Sequence, residues 1–157
     1  MNHLKTRDYF YVSVQLVLFI LYLFPPAGWT FRLMAILQYL FLAGAFSGLI
    51  ILFIAMAQLN TNLTPWPSPK TTGTLVRTGL YRYVRHPIYA GILVFAFSYA
   101  FYSGEWFRIG LSASLLLLFY FKSSYEEKLL VAKYPEYQEY RTRTGRFIPR
   151  FRNDYPE

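Results

Sequence analysis

Long uncharged stretches alternate along this chain with short basic connectors. Tyr9–Phe24, Leu33–Leu63, Pro87–Gly104 and Ile109–Phe121 carry no charge. Apolar runs of this length suit helices rather than strands. A helix needs about 20 residues to cross the hydrocarbon core of a bilayer. The first and last runs gain length from flanking residues that sit among headgroups: Tyr9 and Tyr11 on one, Trp106, Tyr120 and Lys122 on the other. The pattern predicts an all-α, polytopic membrane helix bundle with four transmembrane helices, near residues 8–24, 31–58, 87–104 and 106–132. They form one domain over 1–157 that ends in an amphipathic C-terminal tail, 133–157.

Lys5 and Arg7 ahead of the first run imitate a signal peptide. A signal core, however, is about 7–15 residues long and ends at small residues. Here the run ends in Pro25-Pro26-Ala27-Gly28-Trp29, a tight-turn sequence, so the first helix is expected to be retained.

Composition strengthens the membrane reading. The chain is 55% hydrophobic and 15% charged, where soluble domains carry about 25% charged residues. The absence of cysteine excludes disulfides, thiolate metal sites and a cysteine nucleophile.

Charge adds an orientation. Fourteen of the sixteen Lys and Arg residues precede the first uncharged run, lie between the second and third, or follow the fourth; Arg32 and Arg108 are the exceptions. Basic loops stay inside, so both termini are expected in the cytoplasm. The net charge of +8 then reflects topology and anionic lipid rather than a nucleic-acid partner. In the second helix, Gly44 and Gly48 form a small-x-x-x-small pair, which suits either internal helix packing or a homodimer. Thr64-Pro65-Trp66-Pro67-Ser68-Pro69 predicts a rigid, partly extended loop.

The candidate chemistry gathers in three places. The first is Gly79-Leu80-Tyr81-Arg82-Tyr83-Val84-Arg85-His86-Pro87-Ile88-Tyr89-Ala90-Gly91. Pro87 suits the first turn of a helix, whose free N–H groups favour an anion, while Gly91 admits a ligand or a second backbone. As plain membrane-surface anchors, Arg85 and His86 would stand at the headgroups. The second place is Glu126-Glu127. Adjacent residues do not share a helix face, so one carboxylate is expected to face the bundle and the other water. The third is the tail from Tyr134 to Pro149, aromatic and basic, suited to lying on a membrane or folding over a pocket. No dinucleotide or P-loop glycine motif is present. His3 and His86 are the only histidines, too few for a histidine-rich metal site, so no metal is expected. With Asp8 and Asp154 near the chain ends and no acid beside His86 in sequence, a Ser-His-Asp hydrolase is not expected.

Taken in order, the Arg-His-Pro segment, Glu126-Glu127 with Leu130, Tyr137-x-x-Tyr140 and Arg146-Phe147-Ile148-Pro149 resemble the integral-membrane methyltransferases. That superfamily includes isoprenylcysteine carboxyl methyltransferase and the phospholipid N-methyltransferases. The resemblance covers about residues 60–150. It implies a helical bundle that binds S-adenosylmethionine without a Rossmann fold. Tyr81, Arg85, His86, Pro87, Tyr89, Gly91 and Glu126 would line the cofactor site. Glu127 and Arg146 are the catalytic candidates, Glu127 as the base that an amine acceptor would need. Lys122, Arg143 and Arg146 are the candidates for substrate binding, and the acceptor is expected to be lipophilic and to arrive from the bilayer. Lys122 stands where the carboxyl methyltransferases have an arginine, and Tyr134-Pro135 where they have Phe-Gly. The acceptor is left open between carboxylate, amine and thiol. A phospholipid N-methyltransferase, a reductase of the membrane sterol type and a non-catalytic lipid-binding protein are the alternatives.

Overall fold

The computed structural model describes residues 6–26, 28–70 and 73–150. His3, Lys5, Arg152, Asp154 and both termini lie outside them. Five α-helices follow in order: α1 Thr6–Leu23, α2 Ala35–Leu59, α3 Pro87–Ser103, α4 Trp106–Lys133 and α5 Tyr137–Arg143. Single 3₁₀ turns occupy Asn60–Asn62 and Gly79–Arg82. There is no strand among the described residues, only isolated bridges between Thr30 and Glu105 and between Val84 and Gly145.

The predicted helices appear with one notable shift. α2 begins at Ala35 rather than near 31, because the segment before it is pinned to the α3–α4 turn. Phe31 N–H donates to Gly104 O at 2.7 Å, and Trp106 N–H donates to Trp29 O at 3.3 Å.

Length and composition single out α2 as the described helix able to cross a membrane, with α3 apolar but shorter. α2 is about 37 Å long at 1.5 Å per residue. It is apolar all round, and Ile36, Tyr39, Leu40, Phe46, Ile50 and Phe53 are exposed, as lipid contact requires. Four equivalent spans do not emerge. α1 carries Arg7 and Asp8 in its first turn, and α4 carries Lys122, Glu126, Glu127, Lys128 and Lys133 in its second half.

The core joins α1, α3 and α4. Tyr22, Leu93, Ala96, Leu111, Leu115 and Phe119 form one buried cluster. The Tyr22 hydroxyl donates to Ala96 O at 2.6 Å, which removes the cost of burying it.

α2 and α3 meet through glycine. A Cβ on Gly48 would lie 2.4 Å from Phe95 N, and one on Gly91 would lie 2.7 Å from Leu52 N. A Cβ on Gly44 would lie 2.7 Å from Ser98 Oγ. Of the two readings of Gly44 and Gly48, internal packing is the one seen here, with α3 of the same chain on that face. The second backbone that Gly91 admits is that of α2.

Candidate active site

The start of α3, the end of α4 and the tail converge on one point. Four backbone bonds seat the tail, one of them from Arg150 N–H to Tyr83 O at 3.2 Å. Gly145 N–H donates to Tyr83 O at 3.0 Å, Arg85 N–H to Gly145 O at 2.8 Å and His86 N–H to Arg146 O at 3.1 Å. Only glycine fits this turn, since a Cβ on Gly145 would lie 1.8 Å from Ile148 O. Pro87 then starts α3 with no N–H to satisfy.

Glu127 is the electrostatic hub. Arg85 Nε–H donates to Glu127 Oε1 at 2.9 Å, and His86 Nε2 lies 3.2 Å from the same oxygen. Arg146 and Arg141 approach Oε2 at 3.7 and 3.9 Å. The Glu127 side chain is 2% exposed and that of Arg85 is 9% exposed. A buried ion pair is tolerable only when its remaining hydrogen-bonding capacity is met. Arg85 meets its share by donating also to the carbonyls of Arg141 and Thr144, whereas Glu127 Oε2 is buried without a hydrogen bond and has only the approach of Arg146 and Arg141.

Glu126 points elsewhere, toward Tyr89. The Tyr89 hydroxyl donates to Glu126 Oε2 at 3.0 Å, and its ring is stacked between His86 and Phe119, with centroids 5.4 and 4.6 Å away. One turn back, Lys122 is 2% exposed. Its ammonium donates to Gln15 Oε1 at 2.7 Å and Pro65 O at 3.2 Å, and lies 5.4 Å from the centre of the Tyr89 ring. No ion pair reaches it among the described residues.

These groups border a cavity of about 450 Å³. Leu52, Met56 and Ile92 supply an apolar wall, and loop residues 63–65, 69–70 and 73–76 line another side. That loop is tied down from two sides. Ser68 Oγ–H donates to Asp8 of α1 at 2.6 Å, while Lys133 and Tyr134 donate to the carbonyls of Lys70 and Gly73. Burial pushes the phenols of Tyr81 and Tyr137 well above their ordinary range, so both stay neutral hydrogen-bond donors.

Of the residues singled out in the sequence, Tyr81, Arg85, His86, Tyr89, Lys122 and Glu126 line the cavity. Pro87 and Gly91 are buried beside it but do not line it. Arg85 and His86 are not surface anchors; both side chains are buried. His86 does have acid partners, brought from the other end of the chain. The two glutamates part company: Glu127 is buried against α3 and the tail, while the Glu126 side chain is 23% exposed and lines the cavity. Glu127 does not line the cavity; Arg85 and His86, which do, hold its carboxylate. Arg143 pairs with Glu139 at 2.5 Å and does not line the cavity. Arg146 lies over the Tyr120 ring at 4.7 Å and donates to Ser124 Oγ at 2.9 Å, outside the cavity wall. Sequence reasoning missed Gln15, a neutral polar residue in an apolar run. It also missed Tyr134 and Tyr137 as wall residues, although the aromatic tail held the clue.

The chain has relatives of known class. The eukaryotic intramembrane Ras methyltransferase, isoprenylcysteine carboxyl methyltransferase, has a similar solved structure, with a TM-score of 0.68 at 21% identity. The match covers 95% of this chain and 54% of that one, so the present chain spans about half its length. At this identity the likeness is one of fold. No curated protein matches the chain. The phospholipid methyltransferase family matches residues 37–137, more than half of the sequence and both glutamates with it. The chain thus shares the fold of an integral-membrane methyltransferase. It belongs to the phospholipid methyltransferase family.

Proposed function

We propose that the chain transfers the methyl group of S-adenosylmethionine to a lipophilic acceptor that enters from the bilayer. The observation that carries this reading is the meeting of Arg85, His86 and Tyr89 with Glu126 and Lys122 at one cavity, from segments far apart in sequence. Ligand cavities commonly measure about 300–1,000 Å³, so the volume suits a nucleoside-sized cofactor. The donor set suits it as well: an anionic Glu126 for an ammonium or sulfonium, and tyrosine faces for an adenine. When bound, S-adenosylmethionine supplies an electrophilic methyl group on sulfur.

The residues of the chain do the rest. Glu126, oriented by Tyr89, holds the cationic end of the cofactor. Tyr81 shapes the wall beside it. Arg85, His86 and Glu127 fix the start of α3 against α4, so that Tyr89 and Glu126 keep their spacing; these three are positioning residues. The apolar walls exclude water, and alignment with desolvation is what a displacement at a methyl carbon demands. Lys122, whose hydrogen bonds go to the neutral Gln15 and Pro65 O, would meet an anionic group of the acceptor. Arg146, with Arg143 further along the tail, would attract such a head group at the rim. Both termini lie in the cytoplasm in this reading, as the distribution of basic residues favours.

The test is transfer of radiolabelled methyl from S-adenosylmethionine into a total lipid extract by the purified protein. Label in an organic-soluble product supports the reading. No transfer to any lipid fraction, with the cofactor bound, would leave a lipid-binding protein in its place.

A further inference from the structure

Five tyrosines line the cavity: Tyr81, Tyr89, Tyr134, Tyr137 and Tyr140. Four have hydroxyls with a partner inside the protein. Tyr81 donates to Ala55 O at 3.3 Å and Tyr89 to Glu126 at 3.0 Å. Tyr134 donates to Gly73 O and Tyr140 to Tyr81 O. The hydroxyl of Tyr137 has none, although the residue is only 2% exposed. Tyr125 has a second buried hydroxyl without a partner, but it does not line the cavity.

A buried donor left unmatched is costly, and native proteins keep few of them unless a ligand or water completes the set. No hydrogen-bond partner reaches the Tyr137 hydroxyl among the described residues, and Glu127 Oε2 is likewise buried without one. The Tyr137 ring is fixed edge-on against Tyr140 at 5.5 Å, so the hydroxyl cannot simply swing to solvent. Tyr137 also stands at the end of the cavity formed by the tail, the side from which a water-soluble ligand arrives in the proposed orientation.

We infer that the Tyr137 hydroxyl is a binding group for the methyl donor, donating a hydrogen bond to an acceptor atom of that cofactor. This rests on the proposed use of S-adenosylmethionine and adds a residue from the tail to its site. The tail helix then does more than cover the water side: it completes the cofactor pocket. Tyr140, one turn along, is the structural counterpart, because its hydroxyl ties the tail to the Gly79–Arg82 turn.

The experiment compares Tyr137→Phe and Tyr140→Phe with the unaltered protein, using S-adenosylhomocysteine as the probe in calorimetry and thermal melting in detergent. Binding by the unaltered protein comes first; its absence would defeat the cofactor reading itself. Given binding, Tyr137→Phe is expected to weaken affinity about three- to tenfold, the effect of one neutral hydrogen bond. Its ligand-free melting temperature should hold or rise, since an unmatched donor has been removed. Tyr140→Phe should lower the melting temperature instead. Unchanged affinity in Tyr137→Phe would overturn the inference, and so would a fall in affinity and melting temperature together. A loss confined to the KM of the lipid acceptor would also overturn it.

Discussion

α3 takes part in two junctions that are built on opposite principles. Against α2 it meets backbone with backbone through Gly48 and Gly91, with no charge at the contact. Against α4 and the tail it meets through Arg85, His86 and Tyr89 on one side and Glu126 and Glu127 on the other. The first junction is steric: it tolerates no added atom and offers no chemistry. The second is electrostatic and leaves a cavity beside it. The same thirteen-residue stretch supplies both, so a glycine five residues from a histidine need not share its task.

The largest effect is expected within the electrostatic junction. Replacing Glu127 with Ala leaves the buried Arg85 guanidinium without its carboxylate, and should cost about 3–5 kcal/mol of stability. Thermal melting in detergent would measure it, and Arg85→Ala combined with Glu127→Ala should cost less than the sum of the two alone. Additive losses would mean that the pair is not coupled.

Next comes the steric junction. Gly48→Leu forces α2 away from α3 and should destabilise the protein by about 1–3 kcal/mol or more, as overpacking does. Affinity for S-adenosylhomocysteine in the folded fraction should stay within about twofold, since that change moves no group of the cavity charge set. A large loss of affinity would show that the two junctions are not separable.

Smaller effects separate the parts of the cavity. Tyr89→Phe removes one bond to Glu126 and should weaken cofactor binding about three- to tenfold while stability changes little. Arg146→Ala should lower turnover on an anionic lipid acceptor more than it lowers cofactor affinity. With its side chain about a quarter exposed, a severalfold change in KM is the expected scale. If short water-soluble acceptors react as well as long-chain analogues, access through the bilayer is wrong.

The steric junction was half legible in the sequence. Gly44 and Gly48 announce a close helix contact, but the spacing cannot say whether the partner is another chain or α3. The helices themselves were legible because long uncharged runs admit little else, and α2 was misplaced only where Phe31 and Trp29 are held in extended form by bonds to a later turn. The electrostatic junction was legible as a set of residues and not as a geometry. Arg85, His86 and the glutamates stood out by composition, yet the order of burial between Glu126 and Glu127 depends on how the tail is seated. That seating uses the backbone of Tyr83, Arg85, His86 and Gly145, and backbone bonds leave no mark in side-chain identity. Gln15 was hidden for a related reason: its role comes from Lys122, more than a hundred residues away.

The claim that one junction holds the fold while the other holds the ligand is tested most directly by pairing two variants in one measurement. Glu126→Gln and Gly48→Leu would be titrated with S-adenosylhomocysteine and melted side by side. The account predicts that Glu126→Gln loses about tenfold or more in affinity, the effect of one charge-assisted bond, and keeps its melting temperature. Gly48→Leu should do the reverse. A fall in both quantities for both variants, or undiminished affinity in Glu126→Gln, would contradict it.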